Sequence, residues 1–127
     1  MARFTPHHIH LMSHDAMAAG RFYEQMFDAK IEASKGANGL PRCNMTLGDQ
    51  IILISTVAAN VDQTASGPHS CLGLDHIGLR VDDMDAAAAE LKSKGAQFLM
   101  EPRGESTRIA FVSAPDGVSV ELVQPAA

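Results

Sequence analysis

Two histidines and one glutamate are the residues whose types and spacing best suit chemistry. His8 lies in HHIHLMS, His76 lies 68 residues later in LDHIGLR, and Glu121 lies in VSVELVQ near the end of the chain. Two imidazoles and one carboxylate supply three protein ligands and leave coordination positions open. Such a set suits Fe(II), Mn(II), Ni(II) or Zn(II). The sequence therefore predicts one divalent-metal site held by these three side chains.

The elements that must position these residues form an internal repeat. Residues 7–30 follow the same plan as residues 74–97, and LGDQIILIS (47–55) matches DGVSVELVQ (116–124). Each half shows a strand period, then a helix period, then three more strands. A repeat of this length indicates a duplicated supersecondary unit. We predict an α+β fold of two tandem βαβββ modules, at about residues 5–56 and 73–125 with a linker at 57–72, whose cupped mixed sheet carries helices on its outer face.

Helix boundaries follow from capping residues. Ser13 or Asp15 is expected to cap a first helix that ends near Phe27, and Asp82 or Asp83 is expected to cap the second. Gly95 is expected to end the second helix in the left-handed conformation.

Alternation along the strands predicts which side chains share a sheet face. The helix-side face is predicted to carry the apolar set Ile9, Leu11, Ile51, Leu53, Ile77, Leu79, Val81, Ile109, Phe111, Val118, Val120 and Leu122. The opposite face is predicted to carry His8, His10, Met12, Arg42, Asn44, Thr46, Gln50, Ile52, His76, Arg80, Arg108, Ser119 and Glu121. The two histidines and the glutamate would converge there through a pseudo-twofold.

Further residues on the polar face are weaker candidates. His10 could act as a general acid or base near neutral pH, and Glu121 could combine that role with metal binding. Arg80 and Arg108 could fix an anionic substrate, and Asn44 is a further candidate for substrate binding. By contrast, His7, His14 and His69 are expected to be exposed rather than functional.

Composition bounds the class of protein. The chain has 127 residues and a net charge of −5, with its ten Lys and Arg scattered, which argues against a nucleic-acid partner. No apolar stretch approaches the roughly 20 residues that span a bilayer, and Pro6 and His7 interrupt any signal-peptide core. Cys43 and Cys71 have no motif spacing and are expected to be reduced. A cytoplasmic protein that acts on a small molecule is the expectation.

The motifs HHIHL, RFYEQMF, LDHIGLRVDDMDAA and RIAFVSAPDGVSVELVQ together resemble the vicinal oxygen chelate superfamily of glyoxalases, bleomycin-resistance proteins and extradiol dioxygenases. The resemblance implies His8, His76 and Glu121 as metal ligands and a homodimer, with modules that pair within or across subunits. It implies dioxygenase-like cleavage, or lyase or isomerase chemistry through an enolate on the metal. A non-catalytic protein that sequesters a drug or metabolite is the alternative.

One position departs from the glyoxalase pattern. Glyoxalase I-like proteins carry a glutamate in each half, whereas the repeat places Ile52 at the first-half counterpart of Glu121. Isoleucine neither binds metal nor moves a proton, and Gln50 lies two residues away. The departure favours a dioxygenase-like reaction over isomerisation of the glutathione hemithioacetal, although extradiol dioxygenases are usually larger than this chain.

Overall fold

The computed structural model describes residue 3 and residues 6–61, 67–69 and 74–127. The chain divides into two compact units, Met1–Asp62 and Gln63–Ala127. Cys71 and part of the predicted linker lie outside the described residues. Within the described part, no helix is long and apolar enough to cross a membrane.

Each unit contains one helix and four strands in the order β-α-β-β-β. The first unit is built from β1 (His8–Ser13), α1 (Ala16–Phe27), β2 (Lys30–Lys35), β3 (Pro41–Leu47) and β4 (Gln50–Thr56). The second unit is built from β5 (His76–Arg80), α2 (Met84–Ser93), β6 (Phe98–Arg103), β7 (Arg108–Ser113) and β8 (Ser119–Gln124), with a 3-10 turn at Pro115–Gly117 between β7 and β8. The predicted α+β fold of two βαβββ modules is confirmed.

The two sheets have matching strand orders. They run β1-β4-β3-β2 and β5-β8-β7-β6, so in each unit the first strand lies beside the last. That first pair is parallel, and the pairs that follow it are antiparallel. Both sheets are therefore mixed, and each brings its first and last strands side by side. In the second unit these two strands carry His76 and Glu121.

Short-range capping fixes both helices. The Asp15 carboxylate accepts a hydrogen bond from the Ala18 amide at 3.0 Å, and the Asp83 carboxylate accepts one from the Ala86 amide at 3.1 Å. These bonds satisfy amides that lack partners inside a helix. Gly95, at φ 86°, follows α2 as predicted, whereas Asp28 ends α1 at φ 59°, where glycine is more usual.

The core of the first unit lies between α1 and its sheet. Tyr23 of α1 is buried, together with Cys43 and Met45 of β3 and Ile54 of β4. Gly20 lets the helix approach β3 closely, because a Cβ atom at this position would collide with Cys43 Sγ. Burial raises the pKa of the Cys43 thiol, so the sulfur packs as a protonated, apolar group.

The predicted face of β4 is wrong by one residue. Ile9 pairs with Ile52 and His8 pairs with Ile51, so Ile52 lies on the helix side and is fully buried. Strand alternation then carries Gln50 to the helix side, and Ile51 and Leu53 to the face of His8. The error has a physical cause: residues 51–54 are all apolar, so their alternation does not distinguish the faces.

The predicted face of β7 is wrong in the same way. Phe111 pairs with Glu121 and Ile109 pairs with Val123, so both lie on the face of Glu121 rather than toward α2. Arg108 pairs with Gln124 on the opposite face, and its guanidinium donates to Asp85 of α2 at 2.8 Å. Residues 109–112 are again apolar throughout, which leaves their pattern ambiguous.

Candidate metal centre

The second unit brings His76 and Glu121 together. In the parallel pair of β5 and β8, His76 is the partner of Ser119 and Gly78 is the partner of Glu121, so both side chains leave the same face. The Nε2 atom of His76 lies 3.4 Å from Oε1 of Glu121. Gly78, the strand partner of Glu121, has no side chain to cover this carboxylate. There is space beside it, because a Cβ atom added to Gly78 would still lie 3.8 Å from Oε1. The pair is half-buried and open on the side of Gly78.

The spacing of these two atoms suits a shared metal ion. Zinc lies about 2.1 Å from imidazole nitrogen and carboxylate oxygen, so two ligands of a tetrahedral site are about 3.4 Å apart. The distance from His76 Nε2 to Glu121 Oε1 is 3.4 Å. One imidazole and one carboxylate are also donors that Fe(II), Mn(II), Ni(II) and Zn(II) accept. His76 and Glu121 therefore fit two coordination positions of a divalent metal ion.

Asp75 lies on the other side of the His76 ring. Its Oδ2 atom is 2.8 Å from His76 Nδ1, and its Oδ1 atom accepts a 2.6 Å hydrogen bond from the His69 amide. The hydrogen bond with His76 lowers the pKa of the Asp75 carboxyl below its ordinary 3.8, and His69 adds to this effect. Asp75 is therefore an ionised acceptor at neutral pH.

His69 completes a second group of ligand atoms. Its Nε2 atom lies 3.4 Å from Asp75 Oδ2, and one donor atom from each of His69, Asp75 and His76 lies within 4.8 Å of the others. The His69 ring also contacts Phe111 and His76 edge to face. The imidazole is exposed, as expected from the sequence. No sequence motif joins His69 to Asp75.

Ser119 lies beneath this site. It is 1% exposed and is the direct strand partner of His76. Its hydroxyl has no hydrogen-bond partner among the described residues. A buried hydroxyl without a partner is unusual, and it stands on the same face as both proposed ligands.

The first unit places His8 and His10 on one face of its sheet. Their ring centroids are 6.2 Å apart, and His10 Nε2 lies 2.7 Å from Ser55 Oγ. His8 Nδ1 lies 2.9 Å from Nδ1 of His7. Leu53, the partner of His10, occupies the position that Glu121 occupies in the second unit, where the partner is Gly78. The counterpart of Glu121 is therefore Leu53 and not Ile52, and it too is unable to bind a metal.

The candidate substrate-binding residues differ in their surroundings within each unit. Asn44 shares the face of His10, and its Oδ1 atom accepts hydrogen bonds from Ser34 Oγ at 3.2 Å and from Arg42 Nε at 3.3 Å. Arg80 leaves the second sheet on the face of Glu121 and is exposed. Arg108 is not on the face of Glu121: its guanidinium forms an ion pair with Asp85 of α2.

Comparisons with known proteins give the broader setting. A family model described as Glyoxalase/Bleomycin resistance protein/Dioxygenase superfamily matches residues 7–111. The uncharacterized protein YaeR of Escherichia coli (strain K12) is 28% identical over 123 residues, covering 93% of this chain and 94% of YaeR. A probable lactoylglutathione lyase of Synechocystis sp. is 38% identical over 55 residues, covering 41% of this chain and 42% of the lyase. The match therefore spans less than half of the lyase.

A solved structure matches this chain over almost its whole length. A mutant of the fosfomycin resistance protein FosX from Listeria monocytogenes, complexed with Mn(II) and 1S,2S-dihydroxypropylphosphonic acid, has a TM-score of 0.76. The match covers 98% of this chain and 94% of that chain, at 17% sequence identity. At this identity, the likeness shows a common fold.

Proposed function

The chain belongs to the glyoxalase/bleomycin resistance protein/dioxygenase superfamily, and we propose that it is a divalent-metal-dependent enzyme acting on a small molecule with two adjacent oxygen atoms. The observation that carries the proposal is the 3.4 Å approach of His76 Nε2 to Glu121 Oε1. An imidazole and a carboxylate at ligand spacing, on an open sheet face, are what such an ion needs.

His8 is the third ligand in this proposal. Support comes from the repeat, in which His8 and His76 begin equivalent strands and stand on equivalent sheet faces. The resemblance to the family supports the same assignment, with His8 contributed by the same chain or by a second copy in a homodimer. Fe(II), Mn(II), Ni(II) and Zn(II) are all compatible with two imidazoles and one carboxylate.

A bound ion would supply Lewis acidity toward the two adjacent substrate oxygens. The chain's own residues supply the remaining functions. Glu121 would contribute its carboxylate to the ion, and His10, whose Nε2 atom lies 2.7 Å from Ser55 Oγ, offers an imidazole for proton transfer. Arg80 is exposed on the Glu121 face, where its guanidinium suits an anionic substituent of the substrate.

The choice between the two candidate reactions rests on Leu53. Isomerisation of the glutathione hemithioacetal requires a base that moves a proton between carbons, and Leu53 stands where a second glutamate would provide it. The similarity to a probable lactoylglutathione lyase supports the lyase reaction, whereas Leu53 argues against it. We therefore place oxygen-dependent cleavage of a diol-like substrate ahead of isomerisation.

A paired assay tests this proposal. Samples loaded with Fe(II), Mn(II), Ni(II) or Zn(II) are assayed for oxygen uptake with a panel of catechols and enediols, and for thioester formation from methylglyoxal and glutathione. We expect oxygen uptake with the Fe(II) sample and little thioester. Robust thioester formation with Ni(II) or Zn(II) and no oxygen uptake would overturn the reaction type. Absence of any metal-dependent turnover, together with metal-independent ligand binding, would favour the sequestering alternative.

A further inference from the structure

We infer that Asp75 is a positioning residue for the metal centre: it holds the His76 ring with its proton on Nδ1, so that the Nε2 lone pair points toward Glu121. This inference rests on the proposed function, because it assigns to His76 the nitrogen that binds the ion.

The assignment starts from the hydrogen-bonding capacity of the two groups. A neutral imidazole has one protonated and one unprotonated nitrogen, whereas an ionised carboxylate only accepts hydrogen bonds. Asp75 Oδ2 lies 2.8 Å from His76 Nδ1, whereas Glu121 Oε1 lies 3.4 Å from Nε2, so the shorter hydrogen bond assigns the single proton of the neutral ring to Nδ1. Nε2 is then the unprotonated nitrogen, and it is the atom that lies 3.4 Å from Glu121. A metal binds only the unprotonated nitrogen, so the ring is oriented and in the required tautomer before the ion arrives.

The Asp75 carboxylate is itself held in place by the His69 backbone amide. Its Oδ1 atom accepts from the His69 amide at 2.6 Å, and its Oδ2 atom lies closer to His76 Nδ1, at 2.8 Å, than to His69 Nε2, at 3.4 Å. The His76 ring meets Phe111 edge to face at 5.3 Å, and Phe111 is buried. The carboxylate and the phenyl ring thus limit the rotation of the imidazole. A freely rotating ring would spend only part of its time with Nε2 directed at Glu121.

The cluster of His69, Asp75 and His76 offers a competing arrangement. If an ion bound at the Asp75 side of the ring, His76 would have to present an unprotonated Nδ1 there. That arrangement uses His69 as a ligand and leaves Glu121 out. The two arrangements therefore predict opposite tautomers of His76 and different sets of essential residues, so they are distinguishable by experiment.

The first test needs no metal. Long-range ¹⁵N–¹H NMR spectra of the metal-free protein are recorded on the alkaline plateau of the His76 ring shifts, where the imidazole is neutral. We expect the Nδ1–H tautomer in the wild type. In Asp75→Asn, the amide donates to Nδ1, and the proton is expected to move to Nε2. Asp82→Asn, which changes an exposed aspartate of the same unit, should leave the tautomer unchanged. A wild type that carries its proton on Nε2 would overturn the inference without any variant.

The second test measures Zn(II) affinity. Loss of a carboxylate that orients a metal-binding histidine costs about 10- to 100-fold in affinity, so Asp75→Asn should weaken binding by that factor and Asp82→Asn should not. The His76 Nδ1 proton should remain visible in the zinc-loaded protein, and His69→Ala should keep its affinity. Unchanged affinity in Asp75→Asn, or loss of the Nδ1 proton on loading, would contradict the inference. If no zinc binds at all, the proposed function fails while the tautomer result still stands.

Discussion

Leu53 occupies in the first sheet the strand position that Glu121 occupies in the second. Leu53 pairs with His10, which lies two residues after His8, and Glu121 pairs with Gly78, which lies two residues after His76. The two units therefore repeat the strand pairing but not the full set of candidate ligands. This difference separates the chain from a pattern with one glutamate in each half.

The strand register is tested by two glutamate substitutions in β4. Ile52 is fully buried on the helix side, whereas Leu53 is half-buried on the face of His10. Ile52→Glu should cost more than about 3 kcal/mol of unfolding free energy because it buries a carboxylate without a partner. Leu53→Glu should stay within about 1 kcal/mol of the wild type. Urea unfolding measures both, and the reverse order of stabilities would show the register to be wrong.

Leu53→Glu should also alter the reaction. The substitution supplies a carboxylate at the first-unit position that corresponds to Glu121. General bases contribute about 10² to 10⁴ in rate, so we expect thioester formation from methylglyoxal and glutathione to rise at least tenfold. The matched control is Leu53→Gln, which has the same length and no basic carboxylate. Equal rates in the two variants would remove the argument from the missing base.

Gly20→Ala tests the packing of α1 on β3. The added Cβ atom would collide with the Sγ atom of Cys43, a fully buried residue. Overpacking of this kind costs about 1 to 3 kcal/mol, more than the gain in helix propensity returns. In a Cys43→Ala background the same substitution should cost less, because the sulfur is gone. Thermal unfolding of the wild type, the two single variants and the double variant gives the coupling energy between Gly20 and Cys43. A coupling energy of zero would contradict the close contact.

Acid unfolding should depend on Asp75. Its folded-state pKa is held below the ordinary 3.8, chiefly by the hydrogen bond with His76. A carboxyl with a depressed pKa stabilises the fold above its unfolded-state pKa, and that contribution is lost as pH falls through the folded pKa. The stability difference between the wild type and Asp75→Asn should therefore be present above pH 3.8 and should shrink as pH falls below that value. A difference that stays constant over this range would contradict the assignment.

The elements of the fold were largely predictable from the sequence. The N-caps Asp15 and Asp83 were among the predicted helix starts, because in each case a short acidic side chain precedes an amphipathic run. The helical cap at Asp28 was not predicted, since an aspartate adopts the left-handed conformation less readily than glycine. The register of β4 and β7 was not predictable, because four consecutive apolar residues in each strand carry no alternation.

The site was predictable in part. His76 and Glu121 were predicted from residue type and from the repeat, and the structure places them 3.4 Å apart. Asp75 was overlooked, although it directly precedes His76 in the sequence. Adjacent residues in a strand point to opposite faces, so sequence alone gives no reason for their side chains to meet. The contact arises because Asp75 lies just before β5 begins, where the strand geometry no longer applies.

Metal content of the purified protein tests the central claim most directly. After treatment with a chelator, reloading with Mn(II) or Zn(II) and exhaustive dialysis, elemental analysis should find about one ion per chain in the wild type. His76→Ala and Glu121→Ala should lose most of that ion, whereas His14→Ala and His69→Ala should retain it. Equal metal content in the wild type and His76→Ala would contradict the account.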